Sequence, residues 1–221
     1  EYHLGDCFPH LHFLRKLGLK YPEHTFNFYA HPHYFKELNP LIEDVMNVHL
    51  HPIENAPADS QNVWKNWNST WERHPHRFRW APFYLSWFQF LSKRMGLECP
   101  IQKTSDLFFD YPALMVEPKY NDLNGKFHVL INNAQPCSGQ FRAYNSPDYL
   151  DPLIAAVAAR CNVMTTQKGK TGVPCTRDFG MNCTDIGVLS RTCDAIIGIV
   201  NGPMWPAMNR DNSTGIEHWL F

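Results

Sequence analysis

The chain has 221 residues, 44% of them hydrophobic and 14% aromatic. That is enough apolar material for one large or two small domains, and it excludes a disordered chain. The 20 Lys and Arg residues against 21 Asp and Glu leave a net charge of -1, which excludes the broad cationic field that nucleic-acid binding requires.

Residues 7–17 carry Phe8, Leu11, Leu14 and Leu17 on one helical face, and Gly18 stands where a helix would end. Residues 25–30 read as a strand, 33–38 as a short helix and 45–50 as a second strand. The order α-β-α-β is the rhythm of a parallel sheet. A strand should precede Tyr2, so residues are expected before Glu1. Residues 52–79 are irregular and hold Trp64, Trp67 and Trp71. The basic group Arg73, His74, His76, Arg77 and Arg79 within them reads as a solvated loop. Pro82 opens an almost wholly apolar helix that runs to Met95 and stops at Gly96. The proline-bearing segment 98–125 reads as a linker.

A second α/β rhythm follows. Residues 127–132 form a strand and 133–145 a polar loop. Ser146 and Pro147 cap a helix with Leu150, Leu153, Ile154, Val157 and Ala158 on one face. Residues 162–166 form the next strand, and Thr184-Asp185 caps a short helix to Arg191. In residues 193–209 an apolar run ends at Asn201-Gly202-Pro203 and a helix is expected to start at Met204. The fold class is therefore α/β with mostly parallel sheets, divided into residues 1–98 and 99–221.

Seven cysteines, an odd number without any C-x-x-C spacing, fit a reducing compartment, and the chain is expected in the cytoplasm. Asn68, Asn182 and Asn212 open N-x-S/T patterns that are read as coincidental in the absence of a signal peptide. The longest apolar runs fall short of the roughly 18–20 residues that span a bilayer.

Four groups of residues carry possible chemistry. Gly5 and Asp6 open the first helix; the glycine permits close approach of a ligand, and Asp6 is a candidate general base on a hydroxyl or a simple helix cap. Ten of the 12 histidines lie in residues 3–76, in H-x-H pairs at 10/12, 31/33, 49/51 and 74/76. Only 49/51 has the strand geometry for a metal; no dedicated metal site is expected, and His31 and His33 are placed on the acceptor side of a crevice. Ser138, Gly139, Gln140 and Arg142 follow the first strand of the second half, with donors suited to a diphosphate. Asn201, Gly202, Pro203 and Met204 form a turn and helix start that favours an anion. Thr166, Gln167 and Lys168 end the neighbouring strand, where they could meet a base or ribose.

Gly5-Asp6 followed by Pro9, and Gly202-Pro203-Met204 followed by Ala207 after a hydrophobic strand, resemble the corresponding motifs of the lipopolysaccharide heptosyltransferases. The resemblance implies the GT-B fold, two Rossmann-like domains facing each other across a cleft, with the second holding the nucleotide-sugar. It implies Asp6 as catalytic base, a nucleotide-diphosphate sugar and a hydroxyl acceptor as partners, and no metal or other cofactor. A lipid-linked acceptor would bring such an enzyme to a membrane surface. The chain departs from the family at Val200 or Asn201, where the family has Asp, and at Trp205, where it has His. Arg142 is the nearest match to its basic residue. The expected function is glycosyl transfer. The alternatives are a nucleotide-sugar epimerase on the same fold or a non-catalytic nucleotide-sugar-binding protein.

Overall fold

The computed structural model describes residues 3–60, 80–118, 127–134, 148–198, 201–215 and 219–220. The protein is α/β with two small parallel sheets. It divides into two compact units, one containing Asp6–Phe108 and the other His3–Gly5 with Phe109–Phe221. The tryptophans at 64, 67 and 71, the basic group at 73–79, the Ser146-Pro147 cap and Val200 lie outside the described residues.

Helix α1 (Leu4–Lys20) has Leu4 and Gly5 in the second unit and the rest in the first, where it precedes strand β1 (Phe26–Ala30), the single turn α2 (Phe35–Leu38) and strand β2 (Val48–Pro52). β1 and β2 are parallel, with Phe26 beside Val48 and Ala30 beside Pro52. The second strand thus starts three residues later than the expected 45; Val45 and Asn47 belong to the turn that delivers it. Helix α3 (Trp80–Arg94) begins before Pro82. It ends as expected at Gly96, whose φ of +70° is left-handed. The amide of Leu97 reaches back to Ser92 C=O (2.9 Å) and that of Gly96 to Lys93 C=O (3.2 Å), a Schellman closure. Phe88 of α3 stacks on Phe13 of α1 at 4.7 Å between rings.

Gly18 does not end α1. It lies buried inside the helix, which continues for two more residues. A Cβ there would sit 2.6 Å from Val48 Cγ2 and 2.9 Å from Val45 Cγ1. The glycine therefore marks the spot where the helix presses onto β2 and its approach turn. Sequence alone shows a helix-breaking residue but not the neighbour that requires it.

The described part of the segment expected as a linker, residues 98–118, is packed. Cys99, Ile101, Leu107, Phe109, Tyr111 and Leu114 are all buried. Asp106 closes a tight turn by accepting the amides of Gln102 and Lys103 at 2.9 and 3.0 Å. Further on, Phe109 runs beside Asn209, exchanging backbone bonds with Met208 and Arg210. Prolines here shape turns on a core rather than keep a tether loose.

The second unit holds β3 (His128–Asn132), α4 (Asp151–Ala158), β4 (Asn162–Thr165), α5 (Cys183–Ser190), β5 (Ala195–Gly198), the turn α6 (Asn212–Gly215) and β6 (Trp219–Leu220). All four strands are parallel in the order β4-β3-β5-β6. Ile154 of α4 packs with Val129, Ile131, Val163 and Ala195 on one face. On the other face, Ile186 and Leu189 of α5 pack with Leu130, Met164 and Ile196. Burial on both faces is why the strands read as continuous apolar runs rather than alternating ones. Leu153, expected on the buried face of α4, is 39% exposed.

Two helix starts differ from expectation. Helix α4 starts at Asp151, with Pro152 as its second residue. Asn182, not Thr184-Asp185, caps α5: its Oδ1 accepts the Asp185 amide at 2.8 Å, and Asp185 returns the bond to the Asn182 amide at 3.1 Å. The larger correction lies after β5. No α-helix starts at Met204. Residues 201–208 close successive three-residue turns, Met204 to Asn201, Trp205 to Gly202, Ala207 to Met204 and Met208 to Trp205. Such turns pair their own amides and build no extended helix dipole.

The packing at Gly18 makes a direct prediction. In an open helix Gly18→Ala would stabilise; here the stiff valines must move. A loss of about 1–3 kcal/mol is expected, read as a lowered urea midpoint.

Candidate functional site: the carboxyl ends of the second sheet

The strand order of the second unit changes direction at β3. From β3 the chain moves outward to β4, then returns past β3 to β5. The β3–β5 gap is the topological switch point, where open α/β sheets leave a crevice at the strand carboxyl ends. Asn132 ends β3 opposite Gly198, the last residue of β5. Gly198 has φ +141°, and a Cβ there would lie 2.6 Å from the Asn132 carbonyl oxygen. Only glycine fits, because both the dihedral and the approaching backbone forbid a side chain.

Amide and hydroxyl side chains tie the three strand ends together. Asn132 Nδ2–H donates to Asn201 Oδ1 (2.9 Å), and Asn201 Nδ2–H donates to the Ala134 carbonyl (3.2 Å). Asn132 Oδ1 accepts the Thr166 hydroxyl (2.7 Å) and the Ala134 amide (3.2 Å). Asn133 brackets Gln167, accepting its amide at 2.8 Å and donating to its carbonyl at 2.9 Å. Asn132, Asn133 and Thr166 are buried and both ends of the Asn201 amide are used, so these bonds hold the frame and leave the rim to Gln167 and Lys168.

Of the residues expected to bind a donor, the structure brings Thr166, Gln167, Asn201 and Gly202 to this end of the sheet. Lys168 is exposed and sits 3.8 Å from Asp178. Ser138, Gly139, Gln140 and Arg142 lie outside the described residues. Met204 is fully buried, in the cluster with Leu130 and Ile196, and is removed from the ligand-binding set. Gly202 is corrected as well. Its backbone is covered by the first turn of α1: a Cβ on Gly5 would lie 3.3 Å from Gly202 N, and one on Gly202 would lie 3.1 Å from Leu4 Cδ2. The glycines of both resemblance motifs thus meet each other. Trp205, placed where the resembled family has His, is buried and meets Phe109 edge-on at 6.3 Å.

Asn132 and Asn133 escaped the sequence reading as site residues. Their signal is there in retrospect: two adjacent asparagines directly after a buried apolar strand must be satisfied locally, because buried amides left unpaired are costly.

Asp6, His31 and His33 belong to the first unit. Asp6 is half-buried among Cys7, His10 and Tyr84. Trp87 Nε1–H donates to His10 Nε2 (2.9 Å), so the ring proton sits on Nδ1 and is donated to the Asp6 carbonyl (2.6 Å). Burial pushes the His10 imidazole down to about 4, against the opposing bond to Asp6. Burial, helped by the Asp6 charge, pushes the Cys7 thiol up to about 12 and the Tyr84 phenol well above its usual range. His31 and His33 stack at 5.2 Å, and His51 meets Asn27 Oδ1 at 2.9 Å.

Among the described residues no group of three or more His, Cys, Asp or Glu is arranged to hold a metal ion, and no helix is long and apolar enough to cross a membrane. Among the described residues Cys7, Cys99, Cys161, Cys175 and Cys193 are free thiols. Asn212 donates its amide to Ser190 Oγ and to the Ala207 carbonyl, both at 2.7 Å, and Asn182 is spent as a helix cap, so these two of the three N-x-S/T asparagines are structural; Asn68 lies outside the described residues. Comparison with family models, with curated proteins and with solved structures returns no match.

Two predictions follow from this geometry. Gly198→Ala is expected to unfold the second unit, whereas Gly180→Ala, at φ +63° with open space around it, costs only about 1 kcal/mol; urea titrations compare the two. His10 binds its proton less readily folded than unfolded, so its contribution is complete above pH ~6.5 and declines as pH falls toward ~4. The loss approaches roughly 3 kcal/mol, and a His10→Gln variant lacks that part of the acid sensitivity.

Proposed function

We propose that the chain is a glycosyltransferase on the two-domain GT-B plan, moving a sugar from a nucleotide-activated donor to a hydroxyl acceptor without a metal. The observation that carries the reading is the polar frame of Asn132, Asn133, Thr166 and Asn201 at the carboxyl ends of a parallel sheet, with Gln167 and Lys168 on its rim. A nucleotide-sugar fits the carboxyl ends of such a sheet, where the crevice forms.

In this reading the asparagine frame fixes the strand ends. Gln167 and Lys168 meet the nucleoside end of the donor. The diphosphate falls to the side chains of Ser138, Gln140 and Arg142 and to Lys168, since the Gly202 backbone is covered and the turns beyond it pair their own amides. Asp6 takes the proton of the acceptor hydroxyl. The hydroxyl oxygen bonds to the anomeric carbon, the bond from that carbon to the diphosphate breaks, and the diphosphate leaves with the electron pair. A carboxylate is the residue type that takes a proton from a hydroxyl in such a transfer.

The covered Gly202 backbone also favours a second reading, a nucleotide-sugar-binding protein without turnover. Asp6→Asn separates the two. With the activity established on a panel of nucleotide-sugars, turnover should fall at least ~100-fold while calorimetric binding of the matching nucleoside diphosphate is unchanged. Unchanged turnover removes Asp6 as base. Binding without any turnover in the wild-type chain selects the second reading, and no binding of any nucleoside diphosphate overturns both.

A further inference from the structure

A cavity of about 390 Å³ opens at the other end of the same sheet, beside the amino end of β4. The strand's outer edge explains it. The amides of Asn162 and Thr166 point inward, to Phe127 C=O (2.9 Å) and Ile131 C=O (3.0 Å) on the β3 side. The Thr165 amide points outward, to Pro174 C=O at 3.0 Å. The alternation of a strand therefore turns the Val163 N–H and C=O outward too. Val163 lines the cavity, and Thr171, Gly172 and Val173 line it as well. Among the described residues no backbone bond closes that edge beyond the Thr165–Pro174 pair.

Two further nitrogens are left without partners in the wall. His128 Nε2 and Asn162 Nδ2 are buried with no hydrogen bond, and the two residues are register partners on adjacent strands. Among the described residues no Asp, Glu, Lys or Arg lines the cavity. Burial pushes the thiol of Cys193, another wall residue, up to about 12, so it too is uncharged. The volume lies within the range of small-molecule pockets, and the wall combines apolar side chains with a few polar groups.

We propose that this cavity binds a small uncharged molecule carrying a carbonyl next to an N–H, such as a lactam or the edge of a free heterocyclic base. A strand residue's N–H and C=O point the same way and read an acceptor and a donor held side by side. The N–H of Val163 donates to the ligand carbonyl, and its C=O accepts the ligand N–H. Apolar atoms of Val129, Ala158 and Leu189 cover the ligand body. The described wall offers a phosphate no compensating charge, so the site suits an uncharged ligand. The site lies at the opposite strand ends from Asn132, Thr166 and Asn201, so it is independent of the glycosyltransferase reading.

The test is a ¹⁵N–¹H NMR titration of the full chain with δ-valerolactam. The Val163 amide resonance should move saturably, with a millimolar dissociation constant. N-methyl-δ-valerolactam, which cannot satisfy the Val163 carbonyl, should bind at least about tenfold more weakly. Cys161→Phe, which fills the cavity from its wall, should abolish the shift while the spectrum stays dispersed. Absence of a saturable Val163 shift overturns the proposal. So does equal binding of the N-methyl compound, or binding that persists in folded Cys161→Phe. If that variant does not fold, the comparison of the two lactams decides.

Discussion

The second unit depends on a backbone contact between two strand ends. β3 and β5 run side by side and stop together, and at Gly198 the chain passes so close to Asn132 that no side chain fits between them. Closeness at a switch point has a consequence for polar groups. Strand ends expose amides and carbonyls that the sheet no longer pairs, and here they are under cover. Asn132, Asn133, Asn201 and Thr166 answer that need with short amide bonds. The result is a stiff polar floor under the rim of the sheet, uncharged and internally satisfied. What meets a ligand stands on that floor rather than within it.

The glycine-proline turn takes on a different role from the one its sequence suggests. A glycine after a buried strand invites a phosphate, because a bare backbone amide can approach an anion closely. At Gly202 the close approach is made by the protein itself, through Leu4 and Gly5. The residues that follow fold into consecutive tight turns and sink Met204, Trp205, Ala207 and Met208 into the core. Buried Asn209 and Asn212 then fasten the turns to α5 through Ser190 and Gly187. Trp205 in place of a polar residue makes sense on these terms: the position is one of packing.

In the first unit, burial and charge meet around Asp6. His10 is held neutral between a tryptophan donor and a backbone acceptor, and Cys7 and Tyr84 are held protonated. Asp6 thus has uncharged neighbours in these three groups. Arg15, by contrast, is buried but paired: it forks onto Asp44 and reaches the Leu41 carbonyl, fastening α1 to the segment before β2. The same helix thus carries a buried, paired charge at Arg15 and, nine residues earlier, a half-buried carboxylate beside these three neutral groups.

The α/β class, the parallel strands and most helices were legible from the sequence, because they follow from local periods and from apolar runs that only a two-faced sheet can bury. Gly96 was legible as a helix stop, since a left-handed cap is a local property. Gly18 was misread, because its reason is the valine wall of a strand 30 residues away. The segment after Glu98 looked like a linker by its prolines and is core by its aromatics, a matter of which surfaces are near enough to cover Ile101, Phe109 and Tyr111. The asparagines of the switch point and the covering of Gly202 were likewise outside the reach of local pattern. Local sequence determined which elements form and in what order. Tertiary structure alone decided which glycines face a neighbour and which amides form the floor of a site, because both depend on distances between residues far apart in the chain.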